Sequence, residues 1–180
     1  MAKFFTQFPK IDYNLSGVNG NTKVVTDIFR RVKARSKLMK NLTLFDKYDV
    51  PEGDTPESIA YKVYGSADYF WIVTLINNIV NRYYDWPLSE YVFQQFVADK
   101  YANPDAVHHY EITQSSGRQT GDGPSDYSHK VECNATDAGA EAVSNIEFER
   151  RIQDEKRQIR ILLPKYVAAF EDEFIKLIRR

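Results

Sequence analysis

The sequence predicts an α+β fold with a small βαα(β) core, an N-terminal arm and helix before it, and a C-terminal hairpin with helices after it. A run of strand formers over residues 43–50 is ended by Pro51, Glu52 and Gly53. Two stretches with apolar residues at helical spacing follow at once, and strand-like and helical stretches alternate again after residue 101. The predicted parts are an arm and basic helix over 1–42, the core with a following helix over 43–100, and a hairpin with partner-binding helices over 101–180.

Capping residues define the two helices of the core. Asp54 or Thr55 can cap the first helix, and Pro56 falls in its first turn, where a missing N–H costs nothing. Gly65 suits the left-handed residue that ends this helix, and Ser66 can cap the second. Each helix has one apolar face, formed by Ile59, Ala60, Val63 and Tyr64 in the first and by Ile72, Leu75, Ile76 and Ile79 in the second, with Phe70 and Trp71 beside them.

The N-terminal part predicts an arm or edge strand followed by a basic helix. Pro9 interrupts an extended aromatic pattern, and proline is excluded from central strands. The helix is predicted from Asp27 to Lys40, with six basic side chains around a thin apolar face of Ile28, Phe29, Val32 and Met39. Its charge suits a nucleic acid or a membrane surface, but because the basic groups circle the helix we favour a solvated or protein-facing role.

The C-terminal part predicts a helix and then a hairpin. Leu88, Val92 and Phe96 are spaced four apart in the helix, which residues 103–105 end. His108 to Thr113 is a predicted strand, and residues 129–133 are its predicted partner across a loop rich in glycine and small polar residues.

Two further helices are predicted near the end of the chain. The helix from Ser144 has only a narrow apolar line of Phe148, Ile152 and Ile159, so we expect it to be solvated or to lie along the helices of a partner. Residues 159–163 are strand-like. Pro164 opens a last amphipathic helix, and we expect a partner groove to cover its apolar face of Val167, Phe170, Phe174, Leu177 and Ile178.

Composition and charge favour a folded protein with protein partners. The 180 residues are 43% apolar and 14% aromatic, enough for a core, and the single cysteine excludes an internal disulfide. No apolar run has the length of a secretory signal or a membrane span, so we expect a soluble protein made in a cytoplasm. The net charge of −1 divides into +6 over residues 1–50, −11 over 51–149 and +4 over 150–180. Such segregation suits docking between surfaces of opposite charge.

Patterns that would indicate catalysis or metal binding are weak. Glu57 and Asp68 are available as a carboxylate pair for glycoside hydrolysis, but Glu57 falls in a helix first turn, where the helix dipole already favours an acid. His108, His109 and Cys133 could converge on a metal, but adjacent residues of a strand point to opposite faces. We therefore expect no enzyme, no catalytic residue, no metal and no cofactor.

An aromatic cluster at Tyr83, Tyr84 and Trp86 follows the two core helices. These side chains could stack on sugar rings, anchor a protein interface, or close the core over the second helix. The sequence favours the last two uses over the first.

The core stretch resembles a known module. Its motif residues occur in the order Gly53, Asp54, Thr55, Ile59, Tyr64, Gly65, Trp71 and Asn77. In this order and spacing the stretch resembles the LysM module, a βααβ unit usually associated with binding N-acetylglucosamine polymers. The usual second strand is replaced by residues 83–90. The resemblance implies an alternative function, a peptidoglycan- or chitin-binding module in which Asp54, Thr55 and Asn77 line a groove.

Five dispersed pieces extend the resemblance over nearly the whole chain. They are residues 26–30, 64–71, 83–90, 108–112 and 154–162. Taken together, they are similar to the LysM-containing baseplate wedge subunit of contractile-tailed bacteriophages.

This resemblance implies a non-enzymatic structural subunit in the tail baseplate of the virion, assembled in the host cytoplasm. The implied partners are larger wedge proteins and neighbouring wedges of a six-fold assembly, with no nucleic acid and no membrane. We expect the former glycan groove to be filled or turned to protein contact. The predicted interface residues are Ile28, Phe29, Arg30, Tyr84, Trp86, Phe148, Ile152, Ile159, Phe170 and Phe174. A glycan-binding LysM protein and a basic nucleic-acid adaptor are the alternatives.

Overall fold

The structure is a computed structural model that describes residues 4–14, 17, 22–33, 43–114 and 129–179. These residues form small antiparallel sheets and short helices, so the predicted α+β class is confirmed. The strands are β1 (Lys10–Asn14), β2 (Thr22–Thr26), β3 (Phe45–Asp49), β4 (Val107–Gln114), β5 (His129–Cys133), β6 (Glu141–Ser144) and β7 (Gln158–Leu162). The helices are α1 (Pro56–Tyr64), α2 (Phe70–Ile76), α3 (Arg82–Asp85), α4 (Glu90–Lys100), α5 (Asn145–Arg157) and α6 (Val167–Ile178). Short 3-10 turns occupy Phe4–Gln7, Ala67–Tyr69 and Pro164–Tyr166.

The chain divides into two units, and one of them is built from both ends of the sequence. Unit 1 comprises residues 1–86 and 157–180, and unit 2 comprises residues 87–156. Unit 2 is therefore an insertion between the helices of unit 1 and its last strand.

Unit 1 is closed by a strand that is distant in sequence. β3 pairs antiparallel with β7, in the register Phe45 to Leu162 and Asp49 to Gln158. The expectation that residues 83–90 replace the closing strand is therefore incomplete, because β7 supplies a partner for β3 after the insertion. The resulting order in unit 1 is β3, α1, α2, the short helix α3 and then β7, with the two strands paired.

The core of unit 1 lies on both sides of this two-stranded sheet. One cluster of buried side chains contains Phe8, Phe45, Trp71, Ile72, Ile76, Leu162, Val167, Phe174 and Ile178. The other contains Val50, Ile59, Ala60, Val73, Trp86, Ile159 and Ile161. Because side chains alternate along a strand, β7 contributes Leu162 to one cluster and Ile159 and Ile161 to the other.

The last helix packs inside its own chain, so the predicted partner groove for its apolar face is wrong. Phe174 of α6 lies against Trp71, with ring centroids 4.6 Å apart, and against Phe4, at 5.7 Å. Val167 and Ile178 are buried in the same cluster. The cover comes from α2 and from the N-terminal aromatic residues, which the sequence alone did not connect with this helix.

The N-terminal arm forms a hairpin, and the segment after it is not helical. β1 and β2 pair antiparallel, and the edge-strand prediction for the residues after Pro9 is confirmed. The helix predicted from Asp27 is wrong over Asp27–Lys33, and its remainder lies outside the described residues. The Asp27 carboxylate accepts the backbone N–H of Phe29 at 3.2 Å. Such a local bond offers the backbone an alternative to helix formation.

The described residues of unit 2 form a three-stranded sheet and two helices. The strand order is β5-β4-β6, with both neighbours antiparallel to β4, so the predicted hairpin strands are confirmed. The sequence did not reveal β6, which is four residues long and runs directly into α5. Helix α4 buries Phe93 and Val97, whereas the predicted face residues Val92 and Phe96 remain 44% and 37% exposed. The apolar spacing of four was correct, but it started one residue too early.

We expect Phe174→Ala to destabilise unit 1 by about 3–5 kcal/mol, the usual cost of removing a buried aromatic ring. Phe29→Ala is the matched control, since Phe29 is 88% exposed and its truncation should change stability by less than about 0.5 kcal/mol. Tryptophan fluorescence during denaturant unfolding measures both, because Trp71 and Trp86 are both in the core of unit 1. Equal effects of the two substitutions would contradict this placement of α6.

Candidate functional site

The residues of the LysM-like motif build the start and end of α1. Thr55 and Ser58 form a reciprocal capping box, and Pro56 occupies the first turn. Gly65 ends the helix in the left-handed region with φ of 74°, and its N–H donates to the Tyr61 carbonyl oxygen at 2.9 Å. These residues therefore have a structural role that is independent of any ligand.

The Asp54 carboxylate and carbonyl are both engaged within unit 1. Lys62 Nζ lies 2.6 Å from one carboxylate oxygen and the Ser58 hydroxyl 3.1 Å from the other. The hydrogen bond from Lys62 holds the pKa of the Asp54 carboxyl below its ordinary value. The Trp86 indole N–H donates to the Asp54 carbonyl oxygen at 2.9 Å. Trp86 is therefore held against Asp54 and is buried in the core of unit 1.

Asn77 joins the end of α2 to β7. Its Nδ2 donates to the Arg160 carbonyl at 2.8 Å, and its Oδ1 accepts the Arg160 N–H at 2.8 Å. The side chain thus takes the place of a neighbouring strand along β7. Tyr64 makes a second link, because its hydroxyl donates to the Leu162 carbonyl at 3.1 Å and burial raises its pKa to about 12.

The predicted interface residues fall into three groups by exposure. Ile28, Phe29, Arg30 and Tyr84 are exposed, with Phe29 at 88% and Tyr84 at 74%. Phe148, Ile152 and Phe170 are half-buried. Trp86, Ile159 and Phe174 are buried in the clusters of unit 1, so in this fold they stabilise the core.

An exposed tyrosine surface on α1 and α3 extends beyond the predicted residues. Tyr83 is 85% exposed beside Tyr84, and Tyr61 is 65% exposed on α1. The Arg82 guanidinium contacts the Glu57 carboxylate at 3.0 Å and joins the two helices. Tyr61 was not among the predicted interface residues. Its position outside the apolar face of α1 could have predicted that its ring is exposed.

The polar helix α5 is integrated into unit 2 by ion pairs, which corrects the expectation that it has little to pack against within its own chain. Glu111 of β4 is 5% exposed, and both its oxygens accept from Arg151 of α5, at 2.9 and 2.8 Å. Lys130 Nζ lies 2.6 Å from the same carboxylate. Hydrogen bonds from Arg151, and then from Lys130, lower the pKa of Glu111 to about 2.

Unit 2 has a second buried carboxylate, Glu149 of α5, and it is also paired. Glu149 accepts from Lys100 at 2.6 Å and from the Tyr101 hydroxyl at 2.8 Å. Burial alone would raise its pKa, but these hydrogen bonds together with the nearby charge of Lys100 hold the pKa below its ordinary value. Gln153 accepts the Leu88 N–H at 3.0 Å. A helix can therefore bury polar side chains when each finds a partner.

His108 and His109 were expected to point to opposite faces of the strand, but their rings contact each other. The pairing of β4 with β6 has a register shift between Val107 and His109. The Nδ1 atoms of His108 and His109 lie 2.9 Å apart, and the His108 ring stacks on the Phe148 ring with centroids 3.9 Å apart. Such a bulge breaks the alternation of a regular strand. Among the described residues there is no group of three His, Cys, Asp or Glu side chains that could hold a metal, and no helix long and apolar enough to cross a bilayer.

Comparisons with known proteins agree on one class of protein. A family profile described as "Base plate wedge protein 53" matches residues 3–120. The chain is also similar to "Baseplate wedge protein gp53" of Enterobacteria phage T4, with 31% identity over 101 residues. That alignment covers 55% of this chain and 52% of the relative, so the match spans about half the length of the curated relative.

We expect Asn77→Ala to lower the free energy of unfolding of unit 1 by about 1–3 kcal/mol, because it leaves two backbone groups of β7 without their partner. The control is Asn134→Ala, at an exposed asparagine, which should change stability by less than about 0.5 kcal/mol. Chemical denaturation followed by tryptophan fluorescence measures unit 1 directly. An unchanged midpoint for Asn77→Ala would show that the contact with Arg160 contributes nothing.

The stabilisation from Glu111 depends on pH in a defined direction. Its folded pKa of about 2 is below the ordinary value of 4.5, so the contribution is complete above about pH 4.5 and is lost as the pH falls toward 2. Glu111→Gln should therefore lower the melting temperature at pH 7 and converge with the wild type near pH 2. Melting followed by far-ultraviolet circular dichroism tests this, with the exposed Glu155→Gln of α5 as the control. A gap that stayed constant from pH 7 to 2 would contradict the assignment.

Proposed function

The chain belongs to the base plate wedge protein 53 family, and from this premise we propose that it binds larger wedge proteins and helps neighbouring wedges close into a six-fold baseplate. The family match over residues 3–120 is the observation that carries the proposal. As a member of this family, the protein is a structural component of the phage tail baseplate, and its place is in the virion. Its wedge partners and the ring closure are the proposed part.

The exposed aromatic residues of unit 1 support a role in protein contact. Tyr61, Tyr83 and Tyr84 are each at least 65% exposed on short helices joined by the Arg82 to Glu57 ion pair. Tyrosine is enriched among the residues that dominate binding energy at interfaces. We place one contact with a larger wedge protein on this tyrosine surface.

We further propose that β3, α1, α2 and β7 form a LysM-type module used as a scaffold. The order strand, helix, helix, strand and the pairing of β3 with β7 support this. No observation favours the glycan-binding alternative. Asp54 and Asn77 are engaged by Lys62 and by β7, and Trp86 lies against the Asp54 carbonyl. The same occupation of polar groups, with Glu57 paired to Arg82, supports a non-enzymatic role.

Reconstitution of the wedge tests the function. The wild-type chain should co-sediment with purified wedge proteins of the same phage and should not be retained on sedimented peptidoglycan. Replacing both Tyr83 and Tyr84 with serine should weaken co-sedimentation at least about tenfold, the loss expected when interface anchors are removed. The matched control is Tyr13→Ser on β1, where the side chain is 51% exposed.

Two outcomes would contradict the proposal. Retention on peptidoglycan without binding to wedge proteins would favour the glycan-binding alternative. Equal co-sedimentation of the double serine variant and the control would remove the tyrosine surface from the interface while leaving the wedge function in place.

A further inference from the structure

A pocket in unit 1 has an apolar wall and room for one side chain. Its volume is about 230 Å³. Apolar cavities of about 150 Å³ hold a benzene ring, so this pocket can accept one aromatic or large aliphatic side chain. The wall includes Phe4, Phe70, Trp71, Leu75, Phe174 and Ile178, from the N-terminal turn, α2 and α6.

The rim of this pocket is basic. Arg30, Arg31 and Lys33 line it, and no acidic residue is found among the described residues that line it. Asp27 pairs with Arg30 at 3.1 Å and offsets one of these charges. The remaining rim has an excess of positive charge directly beside an apolar wall.

Two contacts attach this rim to the elements that form the wall. Arg30 Nη1 donates to the Ile178 carbonyl, at the end of α6, at 3.3 Å. Arg31 Nη2 donates to the Asn78 side-chain oxygen, just after α2, at 3.4 Å. Arg30 and Arg31 are thereby positioned before any partner arrives, which lowers the entropy cost of binding.

Further apolar surface lies on the same segment outside the pocket. Ile28 is 62% exposed and Phe29 is 88% exposed. Exposed apolar side chains next to a pocket are typical of an interaction site. A partner that fills the pocket can cover these two side chains as well.

Charge decides between the candidate occupants. Residues 34–42, which follow the rim in sequence, include Arg35, Lys37 and Lys40 and no acidic residue, so they would bring like charge to the rim. An acidic segment would bring opposite charge, and oppositely charged surfaces steer association and fix its register.

We propose that this pocket receives one large apolar side chain of an acidic segment of another wedge protein, held by Arg31 and Lys33 at the rim. The inference rests on the proposed wedge function and assigns one partner-binding site within it. The site is separate in its residues from the tyrosine surface of α1 and α3.

Filling the pocket tests its role. Thr74 lines the pocket and is half-buried on α2. Thr74→Phe should place a ring in the cavity and weaken binding to the wedge subassembly, purified without this chain, at least about tenfold. Thr74→Val keeps the shape of the side chain and should bind like the wild type. Circular dichroism melting of both variants shows that each is folded.

Reversing the rim charge tests the acidity of the occupant. The double variant Arg31→Glu and Lys33→Glu should bind the same subassembly at least about tenfold more weakly, and added salt should weaken the wild type much more than this variant. The control is Lys10→Glu with Lys23→Glu, which makes the same charge change at exposed positions of β1 and β2. It should retain wild-type affinity and salt dependence.

A photoreactive benzoyl-phenylalanine in place of Val80 identifies the occupant. Val80 lines the pocket and is 63% exposed. The expected cross-link joins the photoreactive residue at position 80 to an acidic segment of a wedge protein. A cross-link to residues 34–42, to a second copy of this chain, or to a segment without acidic residues would overturn the proposal.

The results separate this inference from the function on which it rests. If Thr74→Phe and the rim reversal bind the subassembly like the wild type, the pocket assignment fails and the wedge function stands. If the wild type itself does not bind the subassembly, both fail.

Discussion

The pairing of β3 with β7 is the contact on which unit 1 depends. Each face of β7 contributes to a different core cluster, so the strand joins the two halves of the core as well as completing the sheet. Asn77 and Tyr64 reinforce this placement by bonding to backbone groups of β7 from α2 and α1. Two of the motif residues that suggest sugar binding in the sequence therefore bond to this strand, while Thr55 and Gly65 define the ends of α1. Contacts inside unit 1 therefore account for these motif residues, and function has to be argued from the residues that remain exposed.

Local features of the fold were predictable because local chemistry produces them. The capping box at Thr55 and the left-handed end at Gly65 depend on residues within one helical turn, and β4 and β5 were recognisable from short local runs of the sequence. The partner of β3 was not predictable in the same way, since it lies about 110 residues away and no short-range pattern encodes such a pairing. The cover of α6 was missed for the same reason, because Phe4 and Trp71 are distant in sequence.

The sequence predicted that aromatic residues contribute to an interface, but it did not predict which of them are exposed. Tyr84 and Trp86 are two residues apart, yet one is 74% exposed and the other 7% exposed. Trp86 packs into a core cluster of unit 1, and its indole N–H donates to the Asp54 carbonyl, a contact across 32 residues. For helix α5 the error was the reverse. Its many charged residues led us to expect a solvated or partner-bound helix. Glu149 is buried and Arg151 is bonded to buried Glu111, because each charge has a counter-charge inside unit 2.

The insertion of unit 2 sets an order of events during synthesis on the ribosome. β3 emerges about 110 residues before β7, an interval on the order of ten seconds at ordinary translation rates. The pairs within unit 2 span far shorter stretches of chain, so it can acquire its sheet while unit 1 still lacks both its last strand and its last helix. During this time, Trp71 and the other core residues of α2 lack their packing against α6. The two-part core is thus a late product of translation, completed after the inserted unit has left the ribosome.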